Sequence, residues 1–234
     1  YDLEGRKLKP SDRLRAEARL ALWRRPLQEE PDPTPIPVLY EDEHLLVVDK
    51  PPLVTVHPTA RYHASTLLER LKAARPGEPL SLIHRLDRDT SGVLLVARSA
   101  RADSAFKRLL EDRTTQGKQE SAMGKLYLAL THGVPPEGMI DVPLEPDDAN
   151  SLRVKMRVAP AGRGLPSRTD VRLLSACAGY ALVACELHTG RQHQIRVHLA
   201  HLGCPVVGDK LYGAEDRLLA RAADGELTEE DRRT

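Results

Sequence analysis

The segment from Leu82 to Arg98, LIHRLDRDTSGVLLVAR, constrains the fold most, because a charged loop is enclosed between two apolar stretches. Its polar part holds two acids and three basic residues and ends at Gly92. The run Val93–Val96 that follows has the continuous apolar character of a buried strand. The sequence therefore predicts a charged loop held at the start of a buried strand.

The composition of this loop is compatible with a plain turn. The Asp, Thr and Ser side chains of the segment Asp87–Gly92 can hydrogen-bond to their own backbone, and glycine adopts positive φ readily. On the residues alone, a structural turn and a functional site are equally good interpretations of the loop.

Length and composition indicate a globular protein with one main domain and an appendage, since 234 residues include 41% hydrophobic ones. The sequence has neither an apolar run of about 18 residues nor a charged and then apolar leader, so we expect a protein without a membrane span or export signal. Three cysteines without metal-type spacing suit a reducing compartment, and we expect the cytoplasm.

Charge is unevenly distributed, although the formal net charge is only +1. Residues 1–25 carry eight Lys or Arg against four acids, and residues 151–172 carry six against one. Residues 26–60 carry seven acids against one lysine. This segregation permits a basic face for a phosphate backbone, and a solvated surface of mixed charge explains it as well. Aromatic residues make up 3%, which argues against modules that stack RNA bases on a sheet.

The remaining pattern predicts an α+β fold with a largely antiparallel sheet, because many short strands and few helices follow one another in irregular order. We expect a helix from Thr66 to Ala74 capped by Ser65 and another over 102–110 capped by Ser99. Predicted strands are Val38–Tyr40, Leu45–Val48, Val54–Pro58, Lys125–Leu130, Met139–Val142, Arg153–Val158, Thr169–Leu174 and Tyr180–Leu187. Thr114–Gly124 reads as a polar connection.

A third helix is predicted over the block Thr189–Gly203, with an apolar stripe of Ile195, Leu199 and Leu202 and with Gly203 ending it. The block contains several histidines, which raises the question of a metal. His193 and His198 are five residues apart and therefore lie well off a common helical face. The spacing does not favour a zinc site.

The nine residues His84–Gly92, followed by an apolar strand, resemble the catalytic motif of the RluA-type pseudouridine synthases. Two further blocks, Glu41–Pro58 and Leu187–Gly213, resemble other motifs of this family in the right order, so the resemblance covers most of residues 38–213. It implies the pseudouridine synthase fold, in which helices flank a mixed, largely antiparallel sheet around a central catalytic cleft. The sequence departs from the family where Leu53 replaces an expected glycine.

The resemblance divides the chain into four parts. Residues 38–213 correspond to the catalytic domain, and the proline-rich residues 26–37 read as an extended linker in front of it. Residues 1–25 resemble the end of an S-four RNA-binding domain, and a solvated basic arm is the alternative. The acidic residues 214–234 lack the final strand of the family, and we expect the native chain to continue beyond them.

The resemblance also implies roles for single residues. Asp87 would be the catalytic carboxylate, Tyr127 the stacking and proton-moving residue, and Arg196 the guanidinium that pairs with Asp87. Arg85 would grip a phosphate or fill the space that a flipped uridine leaves, and Ile195, like Val96, would wall the pocket. Such an isomerase needs no cofactor and no metal.

The expected function is therefore the isomerisation of specific uridines to pseudouridine in structured RNA, ribosomal or transfer RNA. We expect RNA as the partner, no membrane and a monomeric protein. A noncatalytic RNA-binding or ribosome-assembly protein would use the same basic faces, and it would bind RNA without converting it. A metal-dependent hydrolase built on His193, His198 and His201 is the third hypothesis, which metal analysis would test.

Overall fold

The computed structural model describes residues 7–9, 11–14, 18–19, 29, 32–58, 63–116, 124–148 and 154–213. The chain divides into two compact units, Tyr1–Ser99 and Ala100–Thr234. Most of the basic segment 1–25 and all of the acidic segment 214–234 lie outside the described residues. No described helix is long and apolar enough to cross a bilayer.

In the part that the structure describes, the first unit is an antiparallel sheet with one helix packed against it. In chain order its elements are β1 (Val38–Glu41), β2 (Leu45–Lys50), α1 (Leu67–Ala74), β3 (Ser81–Leu82) and β4 (Gly92–Ala97). The strand order β1-β2-β4-β3 puts β4 next to β2 inside the sheet, so the strand predicted after the charged loop is confirmed. Its predicted burial holds for Leu94 and Val96, whereas Val93 is exposed. Leu46, Val48, Leu94 and Val96 are fully buried in its core together with the predicted apolar face of α1.

The strand predicted at Val54–Pro58 is wrong, because other groups use its backbone. The carbonyls of Thr55 and Val56 accept hydrogen bonds from the first two N–H groups of α1, at 2.8 and 3.2 Å. The segment therefore caps a helix instead of extending the sheet. The predicted Ser65 cap is also wrong, since Thr66 is the N-cap residue and makes no side-chain cap bond. The side chain and the N–H of Ser65 donate to Glu29 instead.

The described part of the predicted linker belongs to the first unit. Residue 29 and residues 32–37 form no helix or strand, which fits an extended connection. However, Asp32 lies 3.6 Å from Arg70 on α1, and Ile36 packs against the core of the unit. Where the structure describes it, the linker therefore packs against the helix and the core of its own unit.

Within its described residues, the second unit contains a four-stranded antiparallel sheet, a two-stranded one and two helices. The order of its elements is α2 (Ala100–Gln116), β5 (Leu126–His132), β6 (Gly138–Asp141), β7 (Leu144–Pro146), β8 (Met156–Val158), β9 (Arg168–Cys177), β10 (Tyr180–Leu187) and α3 (Gln194–His201). The larger sheet has the order β5-β10-β9-β6. Helix α2 extends to Gln116, three residues into the predicted polar connection, and residues 117–123 of that connection lie outside the described part.

Helix α3 packs on the larger sheet through its predicted apolar stripe. Leu199 is fully buried, and Ile195 and Leu202 are partly buried against the same cluster. Gly203 follows the helix with a φ of 73°, as predicted for the C′ position. The predicted start at Thr189 is wrong, because the helix begins at Gln194 after His193 adopts left-handed φ.

A buried polar cluster fixes the N-terminal half of α3. The Thr169 hydroxyl accepts a hydrogen bond from Nε2 of Gln194 (2.9 Å) and lies 2.9 Å from Nδ1 of His198. Nε2 of His198 faces the Val142 carbonyl at 3.2 Å, so this nitrogen carries the proton and Nδ1 accepts. Burial lowers the pKa of His198 to about 4, and the nearby His201 lowers it too, against the Val142 carbonyl and Asp141, which raise it.

This neutral histidine predicts a pH dependence of stability. In the unfolded chain, His198 takes up a proton as the pH falls below the ordinary histidine pKa. In the folded protein the same side chain stays neutral down to about pH 4. The free energy of unfolding should therefore fall by up to about 3 kcal/mol as the pH drops through this window. Urea unfolding of His198→Gln between pH 7 and 4.5 should show a shallower loss than the parent. His44→Gln, at an exposed histidine, should keep the parent's slope; equal slopes in all three proteins would contradict the assignment.

The α+β class with antiparallel sheets is confirmed. Most predicted strands exist with shifted ends, and β7 and the short β3 were not predicted. The predicted catalytic cleft stays a prediction.

Candidate active site

The charged loop of the first unit is attached to the sheet on both sides of Asp87. On its N-terminal side, the N–H of Leu95 on β4 donates to Nε2 of His84 at 3.2 Å. Within the loop, the Thr90 N–H donates to the Asp87 carbonyl at 3.2 Å, which closes the turn anticipated from the Asp-x-Asp-Thr-Ser-Gly pattern. The Asp87 residue is half-buried, whereas Arg85, Arg88 and Asp89 are exposed. The loop is thus both a well-formed turn and a platform for one partly shielded carboxylate.

Lys50, at the end of β2, holds the C-terminal side of this loop. Its side chain is fully buried, and its Nζ donates to the carbonyls of Pro51 (2.8 Å), Val54 (2.9 Å) and Arg88 (2.9 Å). Burial lowers the pKa of Lys50 to about 8, opposed by the charges of Asp89 and Asp87, so the ammonium is ionised at neutral pH. A buried cation therefore ties the residue next to Asp87 to the end of β2.

Replacing Lys50 with Met should destabilise the protein strongly. Three carbonyls would lose their donor at once, one of them buried and two partly buried, and we expect the free energy of unfolding to fall by roughly 2 to 4 kcal/mol. Urea unfolding at pH 7 measures this loss. Lys72→Met is the matched control, because the exposed ion pair of Lys72 with Glu69 contributes at most about 0.5 kcal/mol. A loss for Lys50→Met no larger than for Lys72→Met would contradict the anchoring role.

The turn between Lys50 and Val54 keeps a backbone conformation that suits glycine. Leu53, which replaces the glycine expected there, has a φ of 68° and an exposed side chain. Its carbonyl accepts a hydrogen bond from Nε of Arg88 at 3.2 Å, which adds a second tie between this turn and the charged loop. The substitution therefore leaves the turn in place at the cost of a strained residue.

The second unit brings together two of the residues assigned by resemblance. Tyr127 lies on β5 opposite Cys185 of β10, and Ile195 lies on the first turn of α3. Both side chains are partly buried and pack against one apolar cluster, which includes the fully buried Val183 and Leu199. The sheet and α3 thus hold Tyr127 and Ile195 on a common core.

Arg196, on the same turn of α3, makes a two-point ion pair with Asp209. Its Nε lies 2.7 Å from Oδ2 of Asp209, and its Nη2 donates to Oδ1 at 2.9 Å. The Arg196 side chain keeps 22% of its surface exposed, whereas that of Asp209 keeps 2%. The guanidinium also lies over the ring of Tyr212, 5.1 Å from its centre. Asp209 therefore fixes one edge of a partly accessible cation.

The predicted site residues are thus divided between the units: Asp87 and Arg85 belong to the first, and Tyr127, Ile195 and Arg196 to the second. The predicted pairing of Arg196 with Asp87 joins the two units and stays a proposal. The prediction that Val96 forms a wall of the pocket is wrong, because this residue is fully buried in the first unit's core. Arg98, the last residue of the motif segment, pairs with Glu41 and Glu78 at 3.1 and 3.0 Å.

Two of the three histidines in the α3 block, His193 and His198, make contacts within the protein. Nδ1 of His193 lies 2.8 Å from the Tyr212 hydroxyl, and His198 belongs to the buried cluster with Thr169. Among the described residues, no group of three or more His, Cys, Asp or Glu is arranged to hold a metal ion.

Two residues with clear structural roles, Lys50 and Asp209, received no assignment from the sequence. Lys50 is the lone lysine among residues 26–60, next to the end of an apolar strand, and that position was the available signal. Asp209 follows Gly208 and lies three residues before Tyr212, but its partner Arg196 lies 13 residues earlier.

Comparison with known proteins relates the whole region to one family. Residues 44–201 match the sequence model of the RNA pseudouridylate synthases. The matched range includes the charged loop, β5 and the whole of α3.

Curated relatives carry consistent names. A ribosomal large subunit pseudouridine synthase D of Zymomonas mobilis is 35% identical over 202 residues, which cover 81% of this chain and 59% of the relative. The protein of the same name in Xanthomonas campestris is 36% identical, with 95% and 66% covered. An uncharacterized RNA pseudouridine synthase of Chloroflexus aurantiacus is 44% identical, with 70% and 51% covered. The chain thus spans about half to two thirds of the length of these relatives.

Two solved human structures resemble this fold. Human RNA pseudouridylate synthase domain containing 1 matches with a TM-score of 0.64 and 29% identity, over 80% of this chain and 73% of that one. Human RNA pseudouridylate synthase domain containing 4 matches with a TM-score of 0.61 and 28% identity, over 85% of this chain and 79% of that one.

Proposed function

The chain belongs to the RNA pseudouridine synthase family, and from this we propose that it isomerises specific uridines in RNA to pseudouridine. The family predicted from the sequence motifs is confirmed by the match over residues 44–201, and this match is the observation that carries the proposal. Relatives of 35% and 36% identity are named for the large ribosomal subunit, so we propose its ribosomal RNA as the substrate.

The reaction defines what the site must do. The bond from the ribose C1′ to the uracil N1 breaks, a bond from C1′ to C5 forms, C5 loses its proton and N1 gains one. Atoms and electrons balance without an oxidant or a second substrate. The site must supply a carboxylate that acts at the sugar or the base, a group that moves a proton, and walls that keep the detached uracil in place.

Asp87 is the carboxylate in this proposal. It is half-buried, while Asp89 two residues later is exposed, so of the two loop acids Asp87 is the better shielded from water. Its loop is held by Lys50 and His84 through contacts that do not involve the Asp87 carboxylate. A group that must meet a substrate at bonding distance benefits from such a preorganised backbone.

In this proposal Tyr127 moves the proton, and Arg196 supplies the positive charge beside the carboxylate. Tyr127 offers a flat face for uracil and a hydroxyl that can exchange protons, and the packing of β5 limits its movement. Arg196 keeps a nearby carboxylate ionised, with Ile195 beside it as an apolar wall. Arg85 is exposed on the Asp87 loop, where it can fill the space that a flipped nucleotide leaves or hold a phosphate.

Mapping pseudouridine in ribosomal and transfer RNA, from cells with and without this protein, tests the substrate. We expect specific positions of large-subunit RNA to lose the modification, and the full-length protein to restore them. Loss confined to transfer RNA would overturn the choice of RNA. No loss at any position, together with retained RNA binding, would favour a noncatalytic RNA-binding protein.

A further inference from the structure

The segment Gly208–Gly213 contributes a carboxylate that the proposed reaction scheme does not use. The side chain of Asp209 is almost completely buried, and both its oxygens face the Nε and Nη2 edge of Arg196 at 2.7 and 2.9 Å. Arg–carboxylate pairs of this two-point kind fix the plane and the direction of the guanidinium as well as its charge.

Asp209 is itself fixed by the backbone that follows it. Its Oδ1 accepts hydrogen bonds from the N–H groups of Leu211 (2.8 Å) and Tyr212 (3.1 Å). Burial raises the pKa of Asp209, but the hydrogen bond and the charge of Arg196, with these two N–H groups, outweigh burial, so the net pKa is lowered. The carboxylate is therefore ionised throughout the neutral range, and it has one geometry in which to hold Arg196.

Tyr212 holds this arrangement from the other side. Its hydroxyl accepts a hydrogen bond from the Met156 N–H on β8 at 2.9 Å and lies 2.8 Å from Nδ1 of His193. Its ring lies beneath the Arg196 guanidinium. Three parts of the chain thus hold the Arg196 guanidinium directly or through Tyr212: helix α3, hairpin β7–β8 and the 208–213 segment. An ion pair between two surface side chains lacks such a set of contacts.

We propose that Asp209 is a positioning residue for the reaction, which acts by aiming Arg196. Because Asp209 holds the Nε edge, the second edge of the guanidinium points in one direction. It can then bind a carboxylate at two points without first changing its rotamer. This inference rests on the proposed function, because it assumes that Arg196 serves the reacting centre. A purely structural alternative is that the pair only ties α3 to the 208–213 segment.

The test is single-turnover conversion by Asp209→Asn on RNA labelled with tritium at uracil C5, with enzyme in saturating excess. The amide can still accept from the two backbone N–H groups, but it presents no anion to Arg196. We expect the rate to fall about 100-fold while RNA affinity, measured by filter binding, changes little. Circular dichroism at the assay temperature establishes that the variant is folded, and Asp209→Glu replaces it if it is not, with a reduced rate again expected.

Asp141→Asn is the matched control. Asp141 also pairs with an arginine Nε, that of Arg168 at 2.9 Å in the same unit, but both side chains of this pair are about half exposed. Its removal should leave the rate unchanged. A comparable fall in both variants would mean that loss of any such pair slows the protein, and it would overturn the positioning role.

A double-mutant cycle separates positioning from support of the fold. If Asp209 acts through Arg196, the pair Arg196→Met and Asp209→Asn should be no slower than Arg196→Met alone. Losses that multiply would show that Asp209 acts independently of Arg196 and would contradict the proposal. Absence of tritium release by the parent chain would refute the proposed function instead, whereas an active parent with a fully active Asp209→Asn variant refutes only this inference.

Discussion

Replacing Asp87 with Asn should abolish the conversion of uridine to pseudouridine while the protein stays folded and continues to bind RNA. The amide preserves the size and shape of the side chain, but it cannot act as a carboxylate. We expect the single-turnover rate to fall by at least about 1,000-fold. Anchorage of the loop should persist, because Lys50 bonds to the Arg88 carbonyl and His84 to the Leu95 N–H.

Asp89→Asn is the control for this prediction, because the second acid lies in the same loop and is exposed. It removes the same charge two residues away, so it corrects for any general effect of loop charge on RNA binding. Its rate should stay within a few-fold of the parent's. Full activity of Asp87→Asn, or a greater loss in Asp89→Asn, would show that the carboxylate has been assigned to the wrong residue.

Replacing Arg196 should have the second largest effect. Lysine restores the charge but not the planar fork, and it cannot hold Asp209 at two points while it serves another carboxylate. We expect Arg196→Lys to lose about 100-fold in rate and Arg196→Met to lose more. The acid limb of the rate profile should move to higher pH in Arg196→Met, since a carboxylate without its cation is protonated more readily.

The alternative role for Arg196 is contact with an RNA phosphate. Lysine would then serve nearly as well, and the defect would appear as weaker binding at raised salt, with the pH profile unmoved. Rates across pH at saturating enzyme distinguish the two roles. Arg191→Lys is the matched control, because Arg191 lies in the same block and its Nε donates to the Pro166 carbonyl. Its rate should be close to the parent's.

Local patterns predicted the elements of the fold where a single stretch of sequence decides them. The apolar run after Gly92 and the spacing of Leu67, Leu68 and Leu71 each specify a buried face without reference to the rest of the chain. Val54–Pro58 has equally good strand residues, and it is no strand because the first turn of α1 and Lys50 use its carbonyls. That competition depends on contacts made after the chain folds back, which local patterns do not contain.

The site shows the same division. The motif singles out Asp87 by resemblance, but the difference in exposure between Asp87 and Asp89 depends on how the loop lies on β4 and Lys50. The start of α3 was placed too early, because nothing local reveals that Gln194 binds Thr189 (2.7 Å) and that His193 turns left-handed before the helix. The sequence does not single out Asp209, because its role depends on the two-point contact with Arg196, which forms only in the folded protein.

Tritium release from RNA labelled at uracil C5, measured with the purified parent chain in excess over a large-subunit ribosomal RNA transcript, tests the central claim most directly. The isomerisation breaks the bond from C5 to hydrogen once for each uridine converted. We therefore expect release to reach a plateau that equals the pseudouridine found in the digested RNA, with neither metal nor cosubstrate added and no release by Asp87→Asn. Binding of the RNA at saturation without tritium release would contradict the claim.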